Sequence, residues 1–319
     1  MKRGSVTALH ISQSIKINKQ VRFSLKMKIG NIEIDSEDKW KEYIKGIVNE
    51  AKDKIRSERE AVSLLKKSII KGFDEILPKR FILLFSGGID SSIIAHVGKS
   101  LNRDILCICG GFKESKDIEL AKRAAKELNL NLEIIFFDAS QIIDALREVK
   151  KITGKKDAVN LEIGSVFYMT IKAIADKEMF EEKDWICTGL GSEELFIGYE
   201  KYIEVENPEK AAIEGLMQGY SNDISRDESI IRHFSKEPLF PFFHQEIIKT
   251  ALQIPVEYKI KEGIKKYCLR QVGLNLGISK EIVETPKRAA QYGSSLSKEL
   301  GKIARSHGFS NKAEFINSL

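Results

Sequence analysis

The sequence predicts an α/β fold, a doubly wound parallel sheet followed by a helical C-terminal part. Three observations carry that expectation. Short, uninterrupted apolar runs recur as "RFILLF", "DILCICGGF", "LNLEIIFFDAS" and "DWICTGL". Helical patterns separate them, at residues 90–102, 116–129, 140–150 and 161–180. Strands covered on both faces read as continuous apolar runs, and strand–helix alternation is how a parallel sheet is wound. Beyond about residue 205 the strand patterns stop, and "NPEKAAIEGLMQGY", "FHQEIIKTALQI" and "GIKKYCLRQVGLNL" read as helices.

The first 26 residues are basic and serine-containing, and no coherent apolar face runs through them. They lack the apolar stretch and cleavage site of a secretory signal. Residues 1–26 are therefore expected to be a disordered leader, and 1–57 as a whole a leader with a short lead-in. The main domain is expected to cover 58–319. From Asp38 to about Leu77 the pattern is charged and helical, with Leu64, Leu65, Ile69, Ile70 and Phe73 on one face, until Pro78 stops it.

The formal charge of +6 is a small excess of 52 basic over 46 acidic residues. Because the basic residues are interspersed with acidic ones, this argues against a nucleic-acid partner. No apolar run approaches the roughly 18 residues of a membrane span, so no membrane partner is expected. Cys107, Cys109, Cys187 and Cys268 form no C-x-x-C pair and no dense framework. They read as reduced core thiols, which places the chain in the cytoplasm.

The chemistry concentrates in "FILLFSGGIDSSII", where a strand pattern turns through Ser86-Gly87-Gly88 into a helix beginning near Asp90, Ser91 and Ser92. Two glycines let the backbone turn sharply and approach a ligand. Peptide N–H groups and serine hydroxyls then gather at a helix N-terminus, where an anion is favoured. A fixed negative charge at Asp90 makes sense there if a divalent cation bridges it to phosphate. A glycine turn with an Asp or Ser cap would use the same residues.

This loop resembles the pyrophosphate loop of the N-type ATP pyrophosphatases. A second stretch, "WICTGLGSEELFIGYEKY", is similar to a strand–loop–helix of the asparagine synthetase family. Thr188, Gly189, Gly191, Glu193, Glu194, Phe196, Gly198 and Tyr199 occupy the family's places. Asp117 in "GGFKESKDIELAKRAAKEL", Asp157 and Tyr168 in "DAVNLEIGSVFY", and Arg226, Asp227, Glu228, Pro241 and Phe242 in "RDESIIRHFSKEPLFPFF" continue the likeness. It ends in "KKYCLRQVG" and "TPKRAAQYGSS", which span about residues 60–300 with the rest.

The resemblance implies an ATP- and Mg²⁺-dependent ligase that forms AMP and pyrophosphate. It would activate a small carboxylic acid, aspartate in the family's case, for attack by ammonia. Phe85, Ser86, Gly87, Gly88, Asp90, Ser91, Ser92, Gly110, Thr188 and Gly189 would bind the nucleotide. Asp90 and Glu193 would hold the metal, and Lys287, Arg288 and Glu194 are the candidate catalytic residues. The chain shows no glutaminase pattern before the loop, so a separate glutaminase subunit and a homodimer are the candidate partners. Three departures stand out: Leu190 replaces an acid between the loop glycines, Leu239 an arginine, and His244 an acid. Glu162 is the candidate to replace the missing acid. A tRNA-modifying enzyme with the same ATP loop and a non-catalytic relative remain open alternatives.

Overall fold

A computed structural model describes residues 27–29, 32–177, 184–286 and 288–319. The expected disordered leader, residues 1–26, lies outside them. The short strands β1 (Met27–Ile29) and β2 (Ile32–Ile34) pair antiparallel. Helices α1 (Glu37–Glu50) and α2 (Glu58–Ile76) follow. Each begins at a serine whose hydroxyl accepts from a backbone N–H three residues on, Ser36 from Lys39 and Ser57 from Glu60. These caps satisfy N–H groups that the helix leaves unpaired, which is why one charged pattern divides into two helices. On α2, Ala61, Leu65, Ile69 and Phe73 are buried at a spacing of four. Leu64 is exposed, so the buried stripe is narrower than the sequence pattern implied.

The chain then winds through β3 (Arg80–Leu84), α3 (Ile89–Ser100), β4 (Asp104–Gly111), α4 (Lys116–Glu127) and β5 (Asn131–Phe136). It returns through α5 (Ile142–Thr153), α6 (Ala158–Asp176), β6 (Trp185–Cys187), α7 (Ser192–Leu195), α8 (Pro208–Gly219), α9 (Ser225–His233) and β7 (Glu237–Leu239). Among the described residues the sheet has the order β5-β4-β3-β6-β7, and every pair is parallel. The winding reverses at β3, which opens a crevice between the loops leaving β3 and β6.

Strand β7 corrects the expectation that strands end near residue 205. It has three residues, one of them Pro238, and pairs only with β6 at the sheet edge. So short a run carries no alternation, and proline in a strand is tolerated at an edge. The remaining chain is helical, with α10 (Gln245–Gln253), α11 (Val256–Lys259), α12 (Tyr267–Asn275), α13 (Lys280–Val283), α14 (Ala290–Gly293), α15 (Leu296–Ser306) and α16 (Lys312–Ser318).

The two faces of the sheet bury separate clusters, and adjacent residues of β3 serve one each: Leu83 packs with Phe73, Ile93 and Ile247, and Ile82 with Ile108, Leu161 and Ile171. This follows from the two-residue period of a strand. Helix α6 is long and apolar enough, by composition, to cross a membrane. Here Leu161, Val166, Met169, Ile171 and Ile174 of α6 are buried in the second cluster. All four cysteines are buried as free thiols, and burial pushes Cys107 and Cys268 up to about 12.

Residues Ile34 to Ile55, read from sequence as a lead-in, share the first cluster. Trp40 is its anchor. The fully buried indole donates from Nε1 to the Leu216 carbonyl at 2.8 Å, and its ring meets Phe243 edge-on at 4.9 Å. Trp40→Ala removes the ring and leaves that carbonyl unpaired. Urea denaturation should show a loss of about 3–5 kcal/mol, the range for large aromatic truncations. A loss below about 1 kcal/mol would mean that α1 is not integral to the core.

Candidate active site

Loops leaving the C-terminal ends of β3, β4 and β6 line one cleft of about 370 Å³. The β3 loop is shaped by its glycines. Gly87 has φ of +74°, and a Cβ there would lie 2.6 Å from the Leu120 backbone carbonyl on α4, so only glycine fits. Gly88 caps α3 without a side chain, donating its N–H to Ser86 Oγ at 3.4 Å and accepting from Ser91 Oγ at 3.2 Å. The first N–H groups of α3 are thus left for a ligand, and the helix dipole favours an anion there.

Behind this terminus sits a cluster of buried charges. Lys266 is 2% exposed, and its ammonium donates to both Asp90 carboxylate oxygens at 2.9 Å, to Ser192 Oγ at 2.9 Å and to Glu193 Oε1 at 2.8 Å. Three elements meet in that contact: Asp90 opens α3, Ser192 and Glu193 open α7, and Lys266 caps α12. The backbone is strained to allow it. Lys266 has φ of +54°, as does Ile197, a β-branched residue for which the left-handed region is a genuine outlier. Next to it, a Cβ at Gly198 would collide with Glu193 Oε2 at 1.7 Å.

The sequence paired Asp90 with Glu193 as metal ligands. The structure brings them together, with an ammonium between them. Two carboxylates suit Mg²⁺ when substrate phosphates complete its shell. Among the described residues no set of three or more His, Cys, Asp or Glu side chains is arranged for a metal.

The cleft walls differ in character. Leu84, Ile108, Val166 and Phe167 form an apolar wall, and Gly110 lies so close to Thr170 Oγ1 that a Cβ would sit 2.1 Å away. Elsewhere the lining is acidic, with Glu194, Asp223 and Asp227. Asp223 comes from a π-helical turn, Tyr220–Ile224, between α8 and α9. Such turns re-aim side chains and favour functional sites. Buried Arg226 donates from Nε to Asp227 at 2.7 Å and from Nη1 to Asp223 at 3.0 Å and Asn160 at 2.8 Å. Burial pushes Glu194 up to about 7, with the charges of Asp223 and Glu193 adding to it. Burial likewise holds Asp227 near 6 in spite of Arg226. An adjoining cavity of about 30 Å³ is lined by Ser86, Gly88, Lys266, Arg270 and Arg288.

Of the residues expected to bind nucleotide, Phe85, Ser86, Asp90, Ser91, Gly110, Thr188 and Gly189 line the main cleft, and Gly88 the smaller cavity. Gly87 and Ser92 line neither. Among the described residues, Ser92 Oγ is buried without a hydrogen-bond partner. Glu194 lines the cleft, Arg288 lines both, and Lys287 lies outside the described residues.

Asp117 also lines both cavities. Asp157 instead caps α6, and Tyr168 packs against His233 and Phe234. Glu228 pairs with Arg232 at 2.8 Å, and Glu162 with Lys312 at 2.8 Å. Leu190 lines the cleft, but Leu239 and His244 do not; His244 Nε2 meets Glu75 at 3.0 Å.

Sequence reasoning missed Lys266 and Arg270. Their signal was a Lys-x-x-Leu-Arg start to a helix, which sets both cations one turn apart.

The asparagine synthase family model matches residues 79–214 and 207–317. The protein named "Putative asparagine synthetase (glutamine-hydrolyzing) 1" of Methanocaldococcus jannaschii is 27% identical over 300 residues, 80% of this chain and 53% of that protein. The asparagine synthetase (glutamine-hydrolyzing) of Gallus gallus is 30% identical over 223 residues, 66% of this chain and 39% of its own length. The chain thus spans about half the length, or less, of these relatives. Among solved structures, NMN synthetase from Francisella tularensis is similar over 83% of this chain and 94% of its own, at 13% identity and a TM-score of 0.41. The matched region holds the β3 loop, the β6 loop and Lys266, and the chain belongs to the asparagine synthase family.

Proposed function

We propose that the chain is an ATP-dependent carbon–nitrogen ligase. It activates a carboxylate as an acyl-adenylate, releases pyrophosphate, and transfers the acyl group to an amine. The observation that carries this reading is the open N-terminus of α3 beside the Lys266-bridged carboxylates, in one cleft with a buried, ligand-facing acid. Family membership supports ATP use. Aspartate is the acceptor that the relatives' names favour, and ammonia, free or delivered by a partner, is the nitrogen donor.

The apolar wall of Leu84, Ile108, Val166 and Phe167 suits a purine, and the α3 N-terminus with Arg270 and Arg288 suits the phosphates. An acceptor carboxylate oxygen attacks the α phosphorus, and the bond to the β-phosphate oxygen breaks. Asp90 and Glu193 are the residues that would hold Mg²⁺, whose chemistry there is to neutralise charge on the leaving pyrophosphate. Lys266 has three protons, and can turn one from a carboxylate to a phosphate oxygen. The amine then attacks the acyl carbon, gives up a proton, and AMP departs. With Leu190 in place of an acid, Glu194 is the group suited to take that proton. Its affinity for a proton matches neutral pH, where a general base is most useful.

With acceptor acid and ammonium present, chromatography of the products from α-labelled ATP should show AMP, with pyrophosphate released beside it. Asp90→Ala should lower that turnover by about 10²–10³-fold, as for other preorganised charge contacts. Formation of ADP and orthophosphate would refute the reading. Glu194→Gln should slow the amide-forming step by about 10²–10⁴-fold and leave pyrophosphate exchange intact. Adding Leu190→Glu should recover part of the loss. Unchanged amidation in Glu194→Gln, measured by rapid quench, would remove Glu194 as the base.

A further inference from the structure

Two walls of the cleft are joined, outside it, by the C-terminal helix. Ile163, Val166, Phe167 and Thr170 of α6 line the cleft, and so do Arg288, Ala289 and Ala290, where the chain enters α14. Helix α14 has four residues and no side-chain cap, too few to be stable alone. Its Gln291 is 4% exposed, with Oε1 lacking a hydrogen-bond partner among the described residues, and Ser295 just beyond has φ of +67°. Both features cost stability, so α14 depends on contacts with other elements to keep its place. One is a backbone bond, Phe112 N donating to the Ser294 carbonyl at 3.0 Å.

Lys312 supplies the others. It opens α16, where the helix dipole disfavours a cation. Its ammonium instead reaches three other elements. It donates to Glu162 Oε2 of α6 at 2.8 Å, with Oε1 also at 2.8 Å, and to Ser297 Oγ of α15. It also sits 5.4 Å from the ring centroid of Tyr292 on α14, within range of a cation–π attraction. Glu162 is 2% exposed, and a carboxylate so buried needs a cation beside it. Phe315 and Ile316 attach α16 separately, through the apolar cluster that Leu161 of α6 and Leu296 of α15 share.

We propose that Lys312 and Glu162 are positioning residues, a strap from α16 that ties α14 to α6 and so sets the spacing between the two cleft walls. Without the strap α14 samples other positions. Only the fraction with both walls in place then binds fully, and the apparent affinity falls by that fraction. The inference rests on the ligase reading only for the ligand, ATP.

Hydrogen–deuterium exchange and calorimetric titration with Mg²⁺ and ATP test this on the full chain and on Lys312→Met, Glu162→Gln and Lys312→Arg. In Lys312→Met and Glu162→Gln, peptides covering residues 288–295 should exchange faster, while those of β3 and β4 keep their rates. ATP affinity should fall by about 2- to 30-fold, the range for residues that act on a ligand without touching it. Lys312→Arg keeps the charge and should restore most of both. If Lys312→Met fails to fold, Glu162→Gln, which removes only a charge, gives the same reading.

Unchanged exchange at 288–295 would overturn the inference, and so would faster exchange throughout the chain, the mark of general destabilisation. A loosened α14 with ATP affinity still within about twofold of the unaltered chain would overturn it too. Local loosening in a chain that binds no ATP would uphold the strap and remove the ATP reading.

Discussion

One buried ammonium holds the site together. Lys266 Nζ reaches Asp90, Ser192 and Glu193 within 2.9 Å, joining the loop after β3, the loop after β6 and the start of α12. These segments are far apart in the sequence, and their relative positions set the shape of the cleft. Two buried carboxylates this close would repel each other strongly without a cation between them. Removing one member of such a cluster typically costs about 3–5 kcal/mol, since the others stay buried and uncompensated. The left-handed conformations of Ile197 and Lys266 and the close approach of Gly198 are the local strain that this contact sustains.

From that anchor the cleft takes on two electrostatic halves. Beside α3, Lys266, Arg270 and Arg288 border a small cavity that Asp90 and Asp117 also line. Beside α9, the acids outnumber the one guanidinium they share. The net charge of +6 says nothing of this, because the charges that matter are few and buried. The winding of the sheet explains why they meet: β3 and β6 are neighbours whose connections leave in opposite directions.

Much of this was legible in the sequence because it is local. A strand running into Ser86-Gly87-Gly88 states its own geometry, and Gly87 proves to be required by the backbone of α4. The pairing of Asp90 with Glu193 was suggested by the family resemblance of the two loops. The ammonium between them was not. Lys266 is 176 residues from Asp90, and a lysine at a helix start reads as a surface residue until the fold buries it. Strand β7 escaped because three residues with a proline carry no period. Glu162 shows the converse error: an acid in the right stretch of sequence turns to Lys312, away from the cleft.

The most direct test of this account is the affinity of inorganic pyrophosphate with Mg²⁺, measured by calorimetry on the full chain and on Lys266→Met. If the bridged carboxylates mark the phosphate end of the cleft, the unaltered chain binds pyrophosphate. The variant should then bind it about tenfold or more weakly, with adenosine affinity unchanged. Equal pyrophosphate affinity in both proteins, or none in the unaltered chain, would contradict the account.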